Sequence, residues 1–550
     1  MSHWHHRSDA VHWYMQEISS RVVAESGIPG DRYHLGKLTI RGFKDAPDFI
    51  LQIDGATGET ENFASALKRS VQCANAFRKL GYQQEDVVLL MAPNHIHLTT
   101  PMYAAFYLGM CVAGIDMTLG VNELRDTFSF NAPKVIFCQS DKLKDILAAL
   151  DGLDFKPQII TFDKTDGFLS FSELLDKYGN ETSVENFRVA DFDSSNTIAL
   201  LVATSGSTGL PKSAVVTHKN LVVSIPYMWH TFDKFPTPTR LPAVLSPIQW
   251  YSALFQFVFS PIIRHTRLQS SQPTTQEHAY YLINKYRPTF MMTSPNMLTT
   301  LFKIGDRDKC DLTSFELISV GGSAVHPNLL KEVKEVSPNT EVLVIYGMSE
   351  LSGLAMAYDG CLSESLGRPL SSVTVKLVDP NTGKEVTEPN VNGELWVKGP
   401  GVFKGYYRNP EISAQVLVED DWFKTGDIMY RDKSDYYYFV DRLKLLLKYR
   451  NHQISPLEIE SVIMKHPGVY QVAIASISHK EHGDLPVACI IPHEGSKITA
   501  QEIKDLVKGT LTDSKQLRGG VIFLKELPQT STSKIDRPKL TKLVQCMQRE

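Results

Sequence analysis

The run Thr197-Ile198-Ala199-Leu200-Leu201-Val202-Ala203 empties directly into Thr204-Ser205-Gly206-Ser207-Thr208-Gly209-Leu210-Pro211-Lys212-Ser213. The apolar run reads as a buried strand, and the segment after it reads as a loop for a polyphosphate. Glycines let the backbone approach an anion, hydroxyls and amide N–H groups donate to it, and a lysine adds a point charge. The loop nearly fits the Walker A pattern G-x-x-x-x-G-K-[ST]: Gly206 to Ser213 departs from it only at Pro211, which stands in place of the second glycine. Proline has no N–H and a fixed φ, so it cannot donate to a phosphate there. A nucleoside triphosphate is expected, held otherwise than in a P-loop NTPase. An ordinary turn after a strand is the plain alternative, and the density of hydroxyls beside Leu-Pro-Lys weighs against it.

The first two-thirds of the chain alternates the two periodicities. Ala64 to Leu80 reads as an amphipathic helix and Tyr103 to Met110 as another, with strands at Val87–Met91, Lys134–Cys138 and Gln158–Phe162. Such alternation predicts α/β layers with parallel sheets. Near residue 373 the pattern changes to short strands (Val373–Asp379, Asn392–Val397, Tyr436–Val440) joined by Pro/Gly/Asn turns, a small β-rich unit. After Asp441, a capping box with proline at the first helical position (Ser455-Pro456-Leu457-Glu458) opens a helix that should stop before Pro467. A strand at Val472–Ala475 and a helix from Ala500 to Leu511 complete an α+β domain. The expected fold class is therefore α/β: a large N-terminal domain, 1–441, of layered α/β subdomains plus the β-rich unit, then a mobile α+β domain, 442–550.

Composition excludes several classes. A formal net charge of −4 gives no support for nucleic-acid binding. Cys73, Cys111, Cys138, Cys310, Cys361, Cys489 and Cys546 are scattered with no C-x-x-C pair, against a disulfide framework or a zinc site and in favour of a reducing compartment. The beginning, Met1-Ser2-His3-Trp4-His5-His6-Arg7, lacks the apolar core of a signal peptide and reads as a solvated, disordered terminus. The charge-free stretch Asn94 to Ile115 contains His95, His97, Pro101 and Gly109, so a buried core helix is expected there rather than an integral membrane segment.

Three further segments bear on function. Tyr346-Gly347-Met348-Ser349-Glu350 comes after the apolar Val342-Leu343-Val344-Ile345; Lys424-Thr425-Gly426-Asp427 precedes Tyr436 to Lys444; and Thr530-Ser531-Thr532-Ser533-Lys534-Ile535-Asp536-Arg537 lies near the end. In this order, and with Gly393-Glu394-Leu395 and Tyr407-Arg408-Asn409-Pro410-Glu411, they resemble the adenylate-forming superfamily of acyl-CoA synthetases, 4-coumarate ligases and beetle luciferases. The resemblance covers nearly the whole chain.

It implies a two-step ligase that joins a carboxylic acid to ATP as acyl-AMP and then passes the acyl group to CoA, with Mg²⁺ needed. Small molecules (the acid, ATP and CoA) are the implied partners. By resemblance, Thr204, Ser205, Gly206, Ser207, Thr208, Gly209 and Lys212 wrap the β- and γ-phosphates. Gly321-Gly322-Ser323 and Tyr346, with Gly347, sandwich the adenine. Ser349 contacts the α-phosphate, Glu350 holds Mg²⁺, and Asp427 accepts the ribose hydroxyls with Arg442 beside it. Lys534 is the implied catalytic lysine, Asp441 to Lys444 the hinge, and Lys448 the face used in the second step. Taken singly, Asp427 reads as a turn cap, Glu350 as a loop residue and Lys534 as a surface lysine; the set favours function.

Some positions depart from the family's pattern. Ser213 and Ser533 stand where glycine is usual, and Arg450-Asn451 replaces a Lys-Gly pair at the CoA channel, where an asparagine side chain is expected to narrow the passage. Gln249 and Trp250 stand in place of two histidines at the acyl pocket, with Trp250 as core packing the alternative. Ser224 and Gly353 stand where beetle luciferases carry an arginine and a serine. The acid is expected to be a medium- or long-chain fatty acid or an aryl-propenoate. A luciferase-like monooxygenase and a nucleotide-binding pseudoenzyme are the alternatives. The chain does not end in Ser-Lys-Leu, so cytosol is the expected compartment, with peroxisome the alternative.

Overall fold

The computed structural model describes residues 4–204, 212–228, 240–301, 309–323, 325, 327–357, 365–450, 452–529 and 534–550. The chain divides into two compact units, one of Met1–Ser363, Gly367–Thr374 and Val397–Phe423, the other of Glu364–Leu366, Val375–Trp396 and Lys424–Glu550. The stretch between Asp427 and Asp441 thus packs with the C-terminal elements.

The first unit is layered around two sheets. One has seven strands in the order Leu169–Ser170, Gln158–Thr161, Val135–Cys138, Val87–Met91, Cys111–Gly114, Ile198–Thr204 and Lys212–Thr217. All its pairs are parallel except the last, a hairpin whose register closes at Thr204↔Lys212. The other has nine strands and a parallel centre. There Glu341–Met348, Leu317–Gly321, Phe290–Thr293, Pro242–Ala243, Arg267–Gln269 and Ile50–Asp54 lie side by side, flanked by antiparallel edges. Central parallel strands are covered on both faces, so Val87–Met91, a continuous apolar run, and Leu317–Gly321, which includes Ser319, are buried at every residue.

Asn94 to Ile115 is not one buried helix. Only Thr100–Leu108 is helical, with all nine residues buried, and Gly109 in the left-handed region turns the chain into the strand Cys111–Gly114. The disordered N-terminus is also corrected: Trp4–Ser26 is a helix, and Val11, Met15, Ile18 and Val22 fall on one face and are buried. None of the described helices is long and apolar enough to cross a membrane.

Several histidines of this unit are buried. His34 Nδ1 accepts the Lys37 amide proton, which leaves Nε2 as the protonated nitrogen, donating to the Ala190 carbonyl at 3.0 Å. Burial pushes its pKa down to about 4, and likewise His95 to about 3 and His97 to about 4, from 6.5. The unfolded chain protonates these groups near pH 6.5 and the folded one does not. Their stabilising contribution is therefore complete above pH 6.5 and is lost as pH falls from 6.5 toward 4. Urea midpoints measured across that window should fall, each histidine contributing about 1.4 kcal/mol per pH unit; a flat profile would contradict the burial.

In the second unit, strands Thr374–Val378, Gly393–Lys398, Trp422–Arg431 and Tyr437–Arg442 lie side by side in that order, largely within its residues. Its other sheet orders His452–Ile454, Leu447–Tyr449, Gly483–Pro492 and Val469–His479, with Gly520–Phe523 parallel to Gly483–Pro492. Helices Pro456–Ile463 and Ala500–Thr510 bury Ile459, Ile463, Ile503 and Val507 in one core; Arg537–Cys546 buries Leu540 and Val544 in another. The expected capping box is half formed. Ser455 Oγ accepts from the Glu458 amide at 3.3 Å, but the Glu458 carboxylate pairs with Lys515 Nζ at 2.5 Å instead of returning to the cap.

Candidate active site

Parallel strands leave their carboxyl ends facing a crevice, and in the first unit several of the expected nucleotide residues stand there. Leu317–Gly321 and Glu341–Met348 run parallel with Gly321 opposite Ile345. A Cβ on Gly321 would lie 2.4 Å from the Ile345 carbonyl oxygen, and one on Gly347 would lie 2.3 Å from that of Gly353. Only glycine permits backbones so close. Gly322 and Ser323 emerge exposed past the strand end, while Tyr346 is buried. The strand runs on through Tyr346-Gly347-Met348, beyond the apolar core read from the sequence, because Gly353–Ala357 folds back on it with Met348 opposite Gly353. One turn of 3₁₀ helix, Ser349–Leu351, comes next.

Glu350 and Lys212 are linked through a residue that none of the sequence motifs includes. The Tyr406 hydroxyl donates to Glu350 Oε1 at 2.9 Å, and Lys212 Nζ lies 5.4 Å from the centre of the Tyr406 ring. Main-chain hydrogen bonds hold Tyr406 in place: Val215 donates to Gly405 (2.9 Å), Lys404 to Val215 (3.0 Å) and Tyr407 to Ser213 (2.8 Å). Phe403 N also donates to the Glu350 carbonyl at 2.8 Å. Tyr406 adjoins the motif that begins at Tyr407, and that adjacency is its only signal in the sequence. Thr204 and Lys212 face each other across the hairpin, Thr204 Oγ1 donating to the Lys212 carbonyl at 3.3 Å. Ser205, Gly206, Ser207, Thr208 and Gly209 lie outside the described residues. Ser213, where glycine is usual, is buried and donates to Asn131 Oδ1 at 3.0 Å.

The segment expected at the acyl pocket ends in the helix Tyr251–Ile263, with Trp250 half-buried as its N-cap residue. Burial pushes the pKa of the Tyr251 hydroxyl up, and the Ser352 hydroxyl beside it draws it part-way back. Gln249 Oε1 is buried without a hydrogen-bond partner among the described residues, a polar atom an incoming group could satisfy. The neighbouring hollow lined by Val223, Ser224, Tyr227, Leu351 and Leu354 holds only about 10 Å³, well below the size of small-molecule sites.

The second unit carries the remaining candidates. Asp427 is 2% exposed and pairs across the strands with Arg442, Nε to Oδ1 at 3.0 Å. Thr425 Oγ1 donates to the Leu395 carbonyl at 2.7 Å and Gly426 N to Glu394 Oε1 at 3.2 Å, so the two motifs Gly393–Leu395 and Lys424–Asp427 are neighbours. Asp441 is buried; its Oδ1 accepts from Arg442 N (2.7 Å) and its Oδ2 from Ser455 Oγ (2.7 Å). Lys444 and Lys448 are exposed, and Lys448 N donates to Asp484 Oδ2 at 3.0 Å. Arg450 sits at φ +44° in the hairpin turn and donates from Nε to His482 Nδ1 at 3.1 Å. Asn451 lies outside the described residues. Lys534 is half-buried, just before the isolated bridge Gln529↔Ile535.

Among the described residues no group of three or more His, Cys, Asp or Glu side chains could hold a metal ion. A single carboxylate such as Glu350 nevertheless fits Mg²⁺, which is commonly held by one or two carboxylates together with substrate phosphates rather than by a protein cage.

Closely packed glycines at the strand ends, with a lysine and an acid that both contact one tyrosine, suit a bound nucleotide. The chain belongs to the AMP-binding enzyme family, which matches residues 40–407, and the AMP-binding enzyme C-terminal domain matches 458–534. Relatives include a luciferin 4-monooxygenase of Photuris pensylvanica, 28% identical over 91% of this chain and 93% of that protein. A peroxisomal OPC-8:0-CoA ligase of Arabidopsis thaliana is 26% identical over 90% of each. The solved structure of ATP-bound MatB from Rhodopseudomonas palustris shares the fold, with a TM-score of 0.82 at 24% identity over 93% of this chain and 99% of that one. CoA ligases and luciferases thus both occur among its relatives.

Proposed function

We propose that this protein is an ATP-dependent acid–CoA ligase that activates a medium- or long-chain fatty acid or an aryl-propenoate. The observation that carries the reading is the juncture of Lys212, Tyr406 and Glu350 at the strand ends. A carboxylate oxygen attacks the α-phosphorus of ATP, the bond to the β-phosphate oxygen breaks, and pyrophosphate leaves with the electron pair. An anion must here approach a polyanion, so placed positive charge dominates the barrier. Lys212 neutralises the leaving pyrophosphate, with Thr204 and the loop donating to it. Gly321, Gly322, Ser323, Tyr346 and Gly347 hold the adenine, Ser349 donates to the α-phosphate, and Asp427 beside Arg442 takes the ribose hydroxyls. Glu350 holds Mg²⁺, which when bound draws electron density from the phosphate oxygens. Lys534 offers its ammonium to the carboxylate and α-phosphate. In the second step the CoA sulfur attacks the acyl carbon, the bond to the AMP oxygen breaks, and the thiol proton passes to solvent. Asp441 and Lys444 serve as the hinge for that step, Lys448 as its lysine, and Arg450 and Asn451 line the CoA channel. Gln249, Trp250 and Gly353 line the acyl pocket.

The luciferase-like relatives favour a second reading, oxidation of the bound adenylate. Ser224 weighs against it: its hydroxyl donates to the Leu221 carbonyl at 2.7 Å and brings no cation to the site. Pyrophosphate, acyl-AMP and acyl-CoA measured over a panel of carboxylic acids, with and without CoA, test the proposal. Thioester is expected with at least one acid of these classes. Adenylate without thioester would overturn the ligase reading, and no pyrophosphate with any acid would favour a pseudoenzyme.

A further inference from the structure

The helix Arg537–Cys546 begins three residues after Lys534, and its first residue enters a part-buried ion pair. Arg537 Nη2 meets Glu460 Oε1 at 2.9 Å and Oε2 at 3.3 Å. The same two side chains bracket one residue of the edge strand Val469–His479: Arg537 Nη1 donates to the Ile474 carbonyl at 2.8 Å, and Ile474 N donates to Glu460 Oε1 at 2.7 Å. Glu460 is only 7% exposed. Its helix, Pro456–Ile463, is the one that Asp441 caps, through Ser455 Oγ at 2.7 Å and Leu457 N at 3.2 Å. On the other side, Asp536 N donates to the Pro528 carbonyl at 2.8 Å and Ile535 bridges Gln529.

We propose that Arg537 and Glu460 are positioning residues for Lys534, fixing its segment to the helix that also holds the hinge residue Asp441. The inference rests on the reading of Lys534 as the lysine of adenylation. A lysine side chain is long and flexible, so where its ammonium can reach depends on how firmly its main chain is held. A misplacement of about 1 Å can cost about a hundredfold in rate. A planar guanidinium satisfies a carboxylate and a carbonyl at fixed angles, which an ammonium on the same stem does not reproduce. A helix alone would orient the chain after residue 537; the ion pair also sets how far Lys534 stands from the strand Val469–His479 and from Asp441.

The test compares the two half-reactions in the full-length protein. Arg537→Lys keeps the charge, and the double variant Glu460→Gln/Arg537→Met removes both charges, so neither leaves a lone buried ion. With an acid that the wild-type protein activates, both variants should lower kcat for acyl-AMP formation by about 10- to 100-fold. KM for ATP and thioester formation from supplied acyl-AMP should stay within about threefold, since the pair holds neither substrate. Equal loss in both half-reactions, the mark of a merely structural role, would overturn the proposal, and so would unchanged adenylation. Lys534→Ala in the same assay separates the two claims. If it abolishes adenylation while the Arg537 variants do not, the positioning role fails alone. If Lys534→Ala itself leaves adenylation intact, the reading of Lys534 has failed first.

Discussion

Lys534→Ala is expected to lower acyl-AMP formation at least a hundredfold while leaving thioester formation from supplied acyl-AMP within a few-fold of wild type. The first step joins two anions, and removing one electrostatic stabiliser of developing charge costs on the order of 10²–10³ in kcat. The second step expels AMP from a neutral acyl carbon and needs no cation between carboxylate and phosphate. Lys534 is half-buried in the second unit, outside the hydrophobic core residues Leu540 and Val544, so the truncation removes charge without opening a core cavity. Rapid-quench measurement of each half-reaction checks the asymmetry. Equal losses would assign Lys534 to folding or to both steps.

The second large effect is expected at Asp427. This carboxylate is 2% exposed and lies opposite Arg442. As the acceptor of two ribose hydroxyls it would make charge-assisted hydrogen bonds, each worth about 1.5–3 kcal/mol. Asp427→Ala should therefore reduce kcat/KM for ATP by about 10²–10⁴-fold. The partner Arg442 is half-exposed, at 51%, so water can solvate it once the carboxylate is gone and the cost to folding stays small. Steady-state kinetics over ATP concentration, with a melting curve alongside, decides the matter. A loss of melting temperature without a loss in kcat/KM would make Asp427 a structural partner of Arg442.

The α/β architecture is legible in the sequence because buried parallel strands are continuous apolar runs. Val87–Met91 lies where its five apolar residues predict, and Gln158–Thr161 ends one residue short of its predicted end. Periodicity fails where two elements share one charge-free run, as in Asn94 to Ile115; the break there is a left-handed Gly109, which a window of hydrophobicity does not weigh. The N-terminal helix is missed although Val11, Met15, Ile18 and Val22 recur at helical spacing, because the histidines and charges at its start mask that stripe. At the site, the motifs name residues one stretch at a time. They do not say that Lys404 to Tyr407 lies along the strand Lys212–Thr217, so the place of Tyr406 between Lys212 and Glu350 emerges only in the folded chain. The Glu460–Arg537 pair is hidden for the same reason: its members stand 77 residues apart.

The central claim is that the acid attacks the α-phosphorus of ATP. Carboxylic acid labelled with heavy oxygen in both carboxyl positions, turned over with ATP and CoA, tests it most directly by mass spectrometry of the products. One labelled oxygen per turnover is predicted in AMP, because the attacking carboxylate oxygen stays on phosphorus when the thiol displaces the nucleotide. Label in pyrophosphate or orthophosphate, with AMP unlabelled, would contradict adenylation and the account built on it.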